Sequence, residues 1–202
     1  MADLIEQGGE VIGTYQYGDI ADGQGYTTYY LYTDTDSAAT EYNLGNVAVY
    51  SSTISTTATA TTTITAYTST FNTPRVLKGN CIFNFMIYVK TTNGAFSWTP
   101  SIKVYHYDGT TSTQLGSTWT GVSRSTTDKT YTILAKVPIT AAKKFARGDQ
   151  LKIEFVFTET GSGEIEVTHD PQNRDANNIT PSTDATDFTQ SIALIPFKID
   201  IG

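Results

Sequence analysis

Apolar residues recur at every second position along several stretches of this chain, and that period points to β-structure. Leu151, Ile153, Phe155 and Phe157 alternate with Lys152, Glu154 and Val156, which predicts a strand with one buried face. Between Asn80 and Lys90, Cys81, Phe83, Phe85, Ile87 and Val89 share one face, while Ile82, Met86 and Tyr88 add apolar character to the other. That pattern predicts a central strand buried on both sides. Tyr131, Ile133, Ala135 and Val137 repeat the alternation, and Ile165 and Val167 repeat it within Gly163 to Thr168.

Weaker segments fill in the rest. Strands are predicted over Tyr26–Thr33, over Asn46–Ser51 with Val47 and Val49 on one face, and over Ser101–Tyr107. Short strands are expected around Gln114–Leu115 and Thr118–Val122. A C-terminal strand over Ser191–Ile201 carries Pro196, which implies an edge position or a bulge. Turns are signalled by Asp34–Ser37, Phe71–Arg75, Asn93-Gly94, Asp108-Gly109 and Gly148-Asp149. Ser51 to Thr70 holds 10 Thr, and its β-branched residues predict one or two strands with a solvated Thr face. Ala141–Phe145 could make one helical turn, and His169–Asp187 reads as a long polar loop. About nine to eleven strands with such turn spacing predict an all-β fold: an antiparallel, jelly-roll-like β-sandwich over 26–202. Residues 1–25, polar and Gly-rich, are expected to form an N-terminal arm or an edge segment.

Charge is unevenly spread. The net charge is −7, yet residues 1–74 contain no Lys or Arg and 8 acids. Residues 75–158 carry +7 and residues 159–202 carry −6. Pairing between acidic and basic strands explains this blandly; electrostatic docking between subunits explains it more sharply, with Lys143, Lys144, Arg147 and Lys152 as the contacts expected. The acidity argues against nucleic-acid binding. No run approaches the roughly 20 apolar residues of a membrane-spanning helix, so no membrane partner is expected. The N-terminus has no basic patch followed by an apolar run, so synthesis in a cytoplasm is expected. The lone Cys81 lies in an apolar run and reads as a core residue.

Chemistry-bearing motifs are sparse. Arg147-Gly148-Asp149 spells an adhesion tripeptide but reads first as a tight turn. Two acidic groups, Asp19, Asp22, Asp34, Asp36 and Glu41, and Asp170, Asp175, Asp184 and Asp187, lack the spacing of a Ca²⁺ loop. Glu164 and Glu166 share one strand face, where exposed charges would guard an edge. His106 and His169, the only histidines, stand near no nucleophile motif. The expectation is no enzyme, no cofactor and no metal. Trp98, Trp119 and Tyr105, with Tyr107 and Tyr131, could stack sugars, or serve as core and cross-strand pairs.

Four stretches together resemble jelly-roll structural proteins of tailed bacteriophages: ADGQGYTTYYLYT at 21–33, TPRVLKGNCIFNFMIYV at 73–89, FARGDQLKIEFVF at 145–157, and HDPQNRD followed by IPFKIDIG near the C-terminus. The resemblance implies a virion component of capsid decoration or minor capsid type. Its partners would be the major capsid protein or other virion subunits, in a homo-oligomer such as a trimer. The alternative is a carbohydrate- or receptor-binding module of a tail or head fibre.

Overall fold

The computed structural model describes residues 6–7, 10–11, 25–33, 41–49, 55–58, 62–125, 129–172 and 190–199. Among them no helix occurs. β1 (Glu6–Gln7) and β2 (Glu10–Val11) pair with each other, Glu6 opposite Val11. They form a two-stranded sheet apart from the main one. The other residues of the expected arm up to Gln24, the Asp34–Ser37 turn and residues 173–189 lie outside the described residues.

Among the described residues, eleven strands make the main sheet. They are β3 (Thr27–Tyr32), β4 (Glu41–Gly45), β5 (Ser55–Ala58), β6 (Thr62–Thr68), β7 (Arg75–Tyr107), β8 (Ser112–Thr120), β9 (Arg124–Ser125), β10 (Lys129–Phe145), β11 (Gln150–Thr168), β12 (Ile192–Ile195) and β13 (Phe197–Ile199). The pairing path β7–β12–β3–β4–β6–β11 returns to β7, so the sheet closes on itself. One layer holds β10, the first half of β7, β12, β13 and β3, with the second half of β11 and β5; the other holds β8, the second half of β7, the first half of β11, β6 and β4. The fold is thus an all-β, jelly-roll-like β-sandwich. Every pairing is antiparallel except β4 with β6.

β7 and β11 carry the architecture. They pair antiparallel from Gln150 opposite Tyr107 to Val167 opposite Ile87, and so pass together from one layer to the other. Asn93-Gly94 is therefore not a hairpin turn. It marks a corner where the ladder slips register between Thr160 and Gly163 but keeps its partner. Asp108-Gly109 does turn a hairpin, bringing Ser112 back opposite Tyr107. Asp108 Oδ1 accepts from the backbone N–H groups of Thr110 and Thr111, at 2.9 and 2.7 Å. These bonds hold its carboxyl down at about 2.

The two inner faces interdigitate as the alternation predicts. Cys81, Phe83, Phe85, Ile87 and Val89 meet Leu151, Ile153, Phe155 and Phe157 in one core. Phe83 stands edge-on to Phe155, centroids 6.3 Å apart. Burial pushes the Cys81 thiol up to about 12, so it stays protonated as a small apolar filler. Met86 and Tyr88, on the opposite face of β7, are also buried, whereas Val76, Ile82 and Asn84 on that face are half-buried, so the strand is covered on both sides over only part of its length.

Three local expectations are corrected. The strand expected at Asn46–Ser51 lies earlier, at β4, because Tyr42 and Leu44 face the core while Val47 and Val49 are exposed. Ala141–Phe145 is strand, not helix: after a bulge, Lys143, Lys144 and Phe145 pair with Leu77, Val76 and Arg75. Glu164 and Glu166 do not guard an edge, since β11 there runs between β7 and β5. Pro196 precedes β13, whose partner among the described residues is β7 alone. It interrupts the pairing with β7 between β12 and β13, and its ring lies 3.3 Å from where a Cβ on Gly79 would be, so the bulge reading holds. In the Thr-rich segment two strands form, and Ile64, Ala66 and Thr68 are the buried side chains of β6.

Candidate functional site

The turn between β10 and β11 fastens one end of the sandwich. Gly148, at φ 96°, takes the left-handed conformation that the turn needs. Its N–H donates to the Phe71 carbonyl at 2.9 Å, and the Phe71 N–H donates to the Asp149 carbonyl at 2.9 Å. Asp149 Oδ2 accepts from the Ala146 N–H at 2.7 Å and lies 2.6 Å from His106 Nε2. The carboxylate that an adhesion tripeptide must display is turned inward and committed. Arg147 is exposed beside it.

Around this turn an aromatic cluster assembles. Phe145 packs edge-on against Phe71, His106 and Phe197 at 5.6, 4.8 and 5.5 Å. Tyr29 meets Phe197 at 6.4 Å, and the Arg75 guanidinium lies 4.2 Å from the Phe71 ring centroid. Stretches of chain that are remote in sequence thus converge on one end of the fold: Tyr29, Arg75, Phe145 and Phe197 each come from one of the four stretches quoted above. A cleft of about 160 Å³ opens here, lined by Tyr29, Leu44, Thr68, Phe71 and Arg75 among others. Replacing Asp149 by Ala leaves the Ala146 N–H and His106 without their acceptor. The expected cost is about 2–3 kcal/mol, read as a lower midpoint in urea unfolding, with Asp149→Asn losing less.

A second constellation covers the outer face of the layer built from β4, β6, β11, β7 and β8. Register places Asn43, Tyr67, Lys152, Tyr105 and Gln114 in one row across five strands. Lys152 Nζ sits 2.9 Å from Glu154 Oε1 and donates to Ser112 Oγ at 3.3 Å. The Tyr105 hydroxyl donates to Glu154 Oε2 at 2.8 Å, and Lys103 approaches the same oxygen at 4.0 Å. The Lys152 ammonium lies 5.0 Å from the Tyr105 ring centroid and 5.8 Å from that of Tyr67. Tyr67 in turn meets Tyr107 edge-on at 5.4 Å.

Burial raises the carboxyl pKa of Glu154, but hydrogen bonds from Lys152 and Tyr105 outweigh it and hold the pKa below the usual value. Burial, with the hydrogen bond to Glu154, pushes the Tyr105 phenol up. A depressed carboxyl pKa contributes stability that is present above its unfolded value and lost as pH falls through the folded one. Glu154→Gln is therefore expected to flatten the fall of melting temperature below about pH 4, with a loss near neutrality of no more than about 1 kcal/mol.

The sequence-derived candidates scatter over these features. Lys143 and Lys144 end β10, opposite Leu77 and Val76; Arg147 is in the turn; Lys152 belongs to the Tyr67–Tyr105 row. Trp98 is only 1% exposed and packs on Tyr131 at 5.2 Å, so it is a core residue. Trp119, half-buried, pairs with Ile102 and packs against the core. Tyr105 alone of the three joins the outer row. Tyr67, Lys103 and Glu154 were missed. Lys152 and Glu154, two apart on one strand, did signal a shared face, but their partners depend on register. His106 and Asp149 form an acid–base pair, but the pair is packed against Phe145 and is not part of the lining of the cleft described above. His169 and Asp170, expected at the start of a polar loop, are fully buried. Of the two acidic groups, only Glu41 and Asp170 fall within the described residues.

No protein-family model matches the sequence, and no curated protein matches it. Among solved structures, the chain is similar to a CocE/NonD family hydrolase from Staphylococcus aureus, at TM-score 0.53 and 10% identity over 87% of this chain and 36% of that one. It is similar to an α-amino acid ester hydrolase at TM-score 0.51 and 9% identity, over 86% of this chain and 36% of that one. The chain thus spans about a third of the length of the hydrolases it matches. At such identities the likeness shows a shared fold and nothing of activity. The structure of infectious bursal disease virus, Gx strain, matches at TM-score 0.29 and 13% identity over 71% of this chain and 34% of that one, a level from which nothing is drawn. No helix among the described residues is long and apolar enough to cross a membrane.

Proposed function

We propose that the chain is a viral structural protein, a capsid decoration or minor capsid protein that works through protein–protein contacts on a virion. The observation that carries this reading is the broad outer face of tyrosines, lysines and Glu154 spread across five paired strands. Tyr is enriched at protein interfaces because it covers area at low entropic cost while keeping a hydrogen-bonding tip. The sequence resemblance supports the viral setting. In this reading the sandwich is a rigid scaffold, residues 1–25 grip the shell or a neighbouring subunit, and no catalytic step is assigned. Adding purified chain to particles that lack it tests the face. Tyr105→Ala with Lys152→Glu is expected to cut bound chain at least ~10-fold, about 1.4 kcal/mol of contact energy. Undiminished binding would remove the face from the contact.

The same row supports a second reading, a carbohydrate- or receptor-binding module of a fibre. Tyr67 and Tyr105 are half-exposed beside groups that could hydrogen-bond sugar hydroxyls. A glycan-array signal lost in Tyr105→Ala supports it; no signal from the unaltered chain removes it.

A further inference from the structure

From the outer face of the other layer we infer that residues 1–24 of a second copy of this chain dock there, across the first half of β7 and its neighbours. The inference deepens the proposed function, resting on its reading that the chain works through contacts with other subunits. In register, Leu134, Asn84 and Ile192 form one row, Lys136, Ile82 and Leu194 the next, and Lys144, Val76 and Lys198 a third nearer the sandwich end. The face is both apolar and basic. Leu134 is 70% exposed, which is unusual for a Leu at the middle of a paired strand. Lys78 and Lys136 are exposed and Lys198 half-buried around it. β10, β12, β13 and residues 75–89 of β7 contain no Asp or Glu, and Glu166 of β11, opposite Tyr88, stands at the far end of the face. A depression of about 330 Å³ lies beside Leu134, lined by Asn84, Met86, Thr132, Gln190 and Ile192. The Asn84 side chain lines it, while its Oδ1 is buried and accepts no hydrogen bond from a described residue.

Residues 1–24 match that face in kind. They carry Asp3, Glu6, Glu10, Asp19 and Asp22, no Lys or Arg, and the apolar Leu4, Ile5, Val11 and Ile12. Among the described residues, β1 and β2 pair with each other and with no strand of the sandwich. An arm of one copy on the face of the next is a heterologous contact, which forms a ring where the rotation closes and a filament where it does not.

Charge exchange in the full-length chain tests this by sedimentation. The unaltered chain is expected to self-associate on the order of 10 μM, with its dissociation constant rising at least ~10-fold between low and high salt. Face-reversed chain (Lys78→Glu, Lys136→Glu, Lys198→Glu) is expected to be monomeric, as is arm-reversed chain (Asp3→Lys, Glu6→Lys, Glu10→Lys). Mixing the two restores complementary charge in both directions and is expected to restore association. An unaltered chain that stays monomeric overturns the inference, whether the face is then covered by its own arm or by another protein. Association that survives face reversal also overturns it, and so does a mixture that stays monomeric. These outcomes concern purified chain alone, so they are distinct from failure to bind particles.

Discussion

Phe145→Ala is expected to lower stability by about 3–5 kcal/mol, the range for removing a buried aromatic ring. For a chain of this length that means a melting temperature lower by roughly 6–20 °C. Phe145 is fully buried where the rings of Phe71, His106 and Phe197 meet. Removing it leaves a cavity lined by these rings, of which Phe71 is held by main-chain bonds to Gly148 and Asp149, so collapse into the space is limited. Leu134→Ala, on an exposed position of the same strand, is the matched control and is expected to change stability by no more than about 0.5 kcal/mol. Equal effects from the two would mean that β10 is not seated as described.

Trp98→Ala is expected to cost a similar ~3–5 kcal/mol and to act through folding alone. Its ring packs on Tyr131 and lies 6.4 Å from Phe157 in the core. Tyr105→Ala, by contrast, removes a half-exposed ring and one hydrogen bond to Glu154, with an expected cost of about 1 kcal/mol. Urea unfolding monitored by tryptophan fluorescence and circular dichroism separates the two. A Trp98→Ala protein of normal stability that had lost ligand binding would return Trp98 to the surface and overturn its placement in the core.

Period-two alternation made the long strands legible. Cys81 to Val89, Ile133 to Val137 and Leu151 to Phe157 stand where their patterns put them, because burial of one face enforces the period. Short or interrupted elements were harder to read. Tyr42 and Leu44 are only two apolar residues among polar ones, and Val47 and Val49 made the stronger local pattern just beyond them. Ala141 and Ala142 favour helix locally, yet the aromatic cluster captures Phe145 and tertiary packing overrides the preference. Asn93-Gly94 has hairpin chemistry, but continuous pairing with β11 makes it a corner. The candidate sites were legible residue by residue. Tyr105 and Lys152 were both singled out, for different reasons. Only the alignment of β7 with β11 shows that they stand opposite each other, and register between remote strands is not written in either strand.

The central claim is that this chain is a component of a virus particle. Quantitative mass spectrometry across a density gradient of particles from the lysed host measures that directly. The account predicts that the chain peaks with the major capsid protein and keeps a constant ratio to it through the particle band and after a high-salt wash. A chain confined to the soluble fractions at the top of the gradient, with none in the particle band, would contradict it.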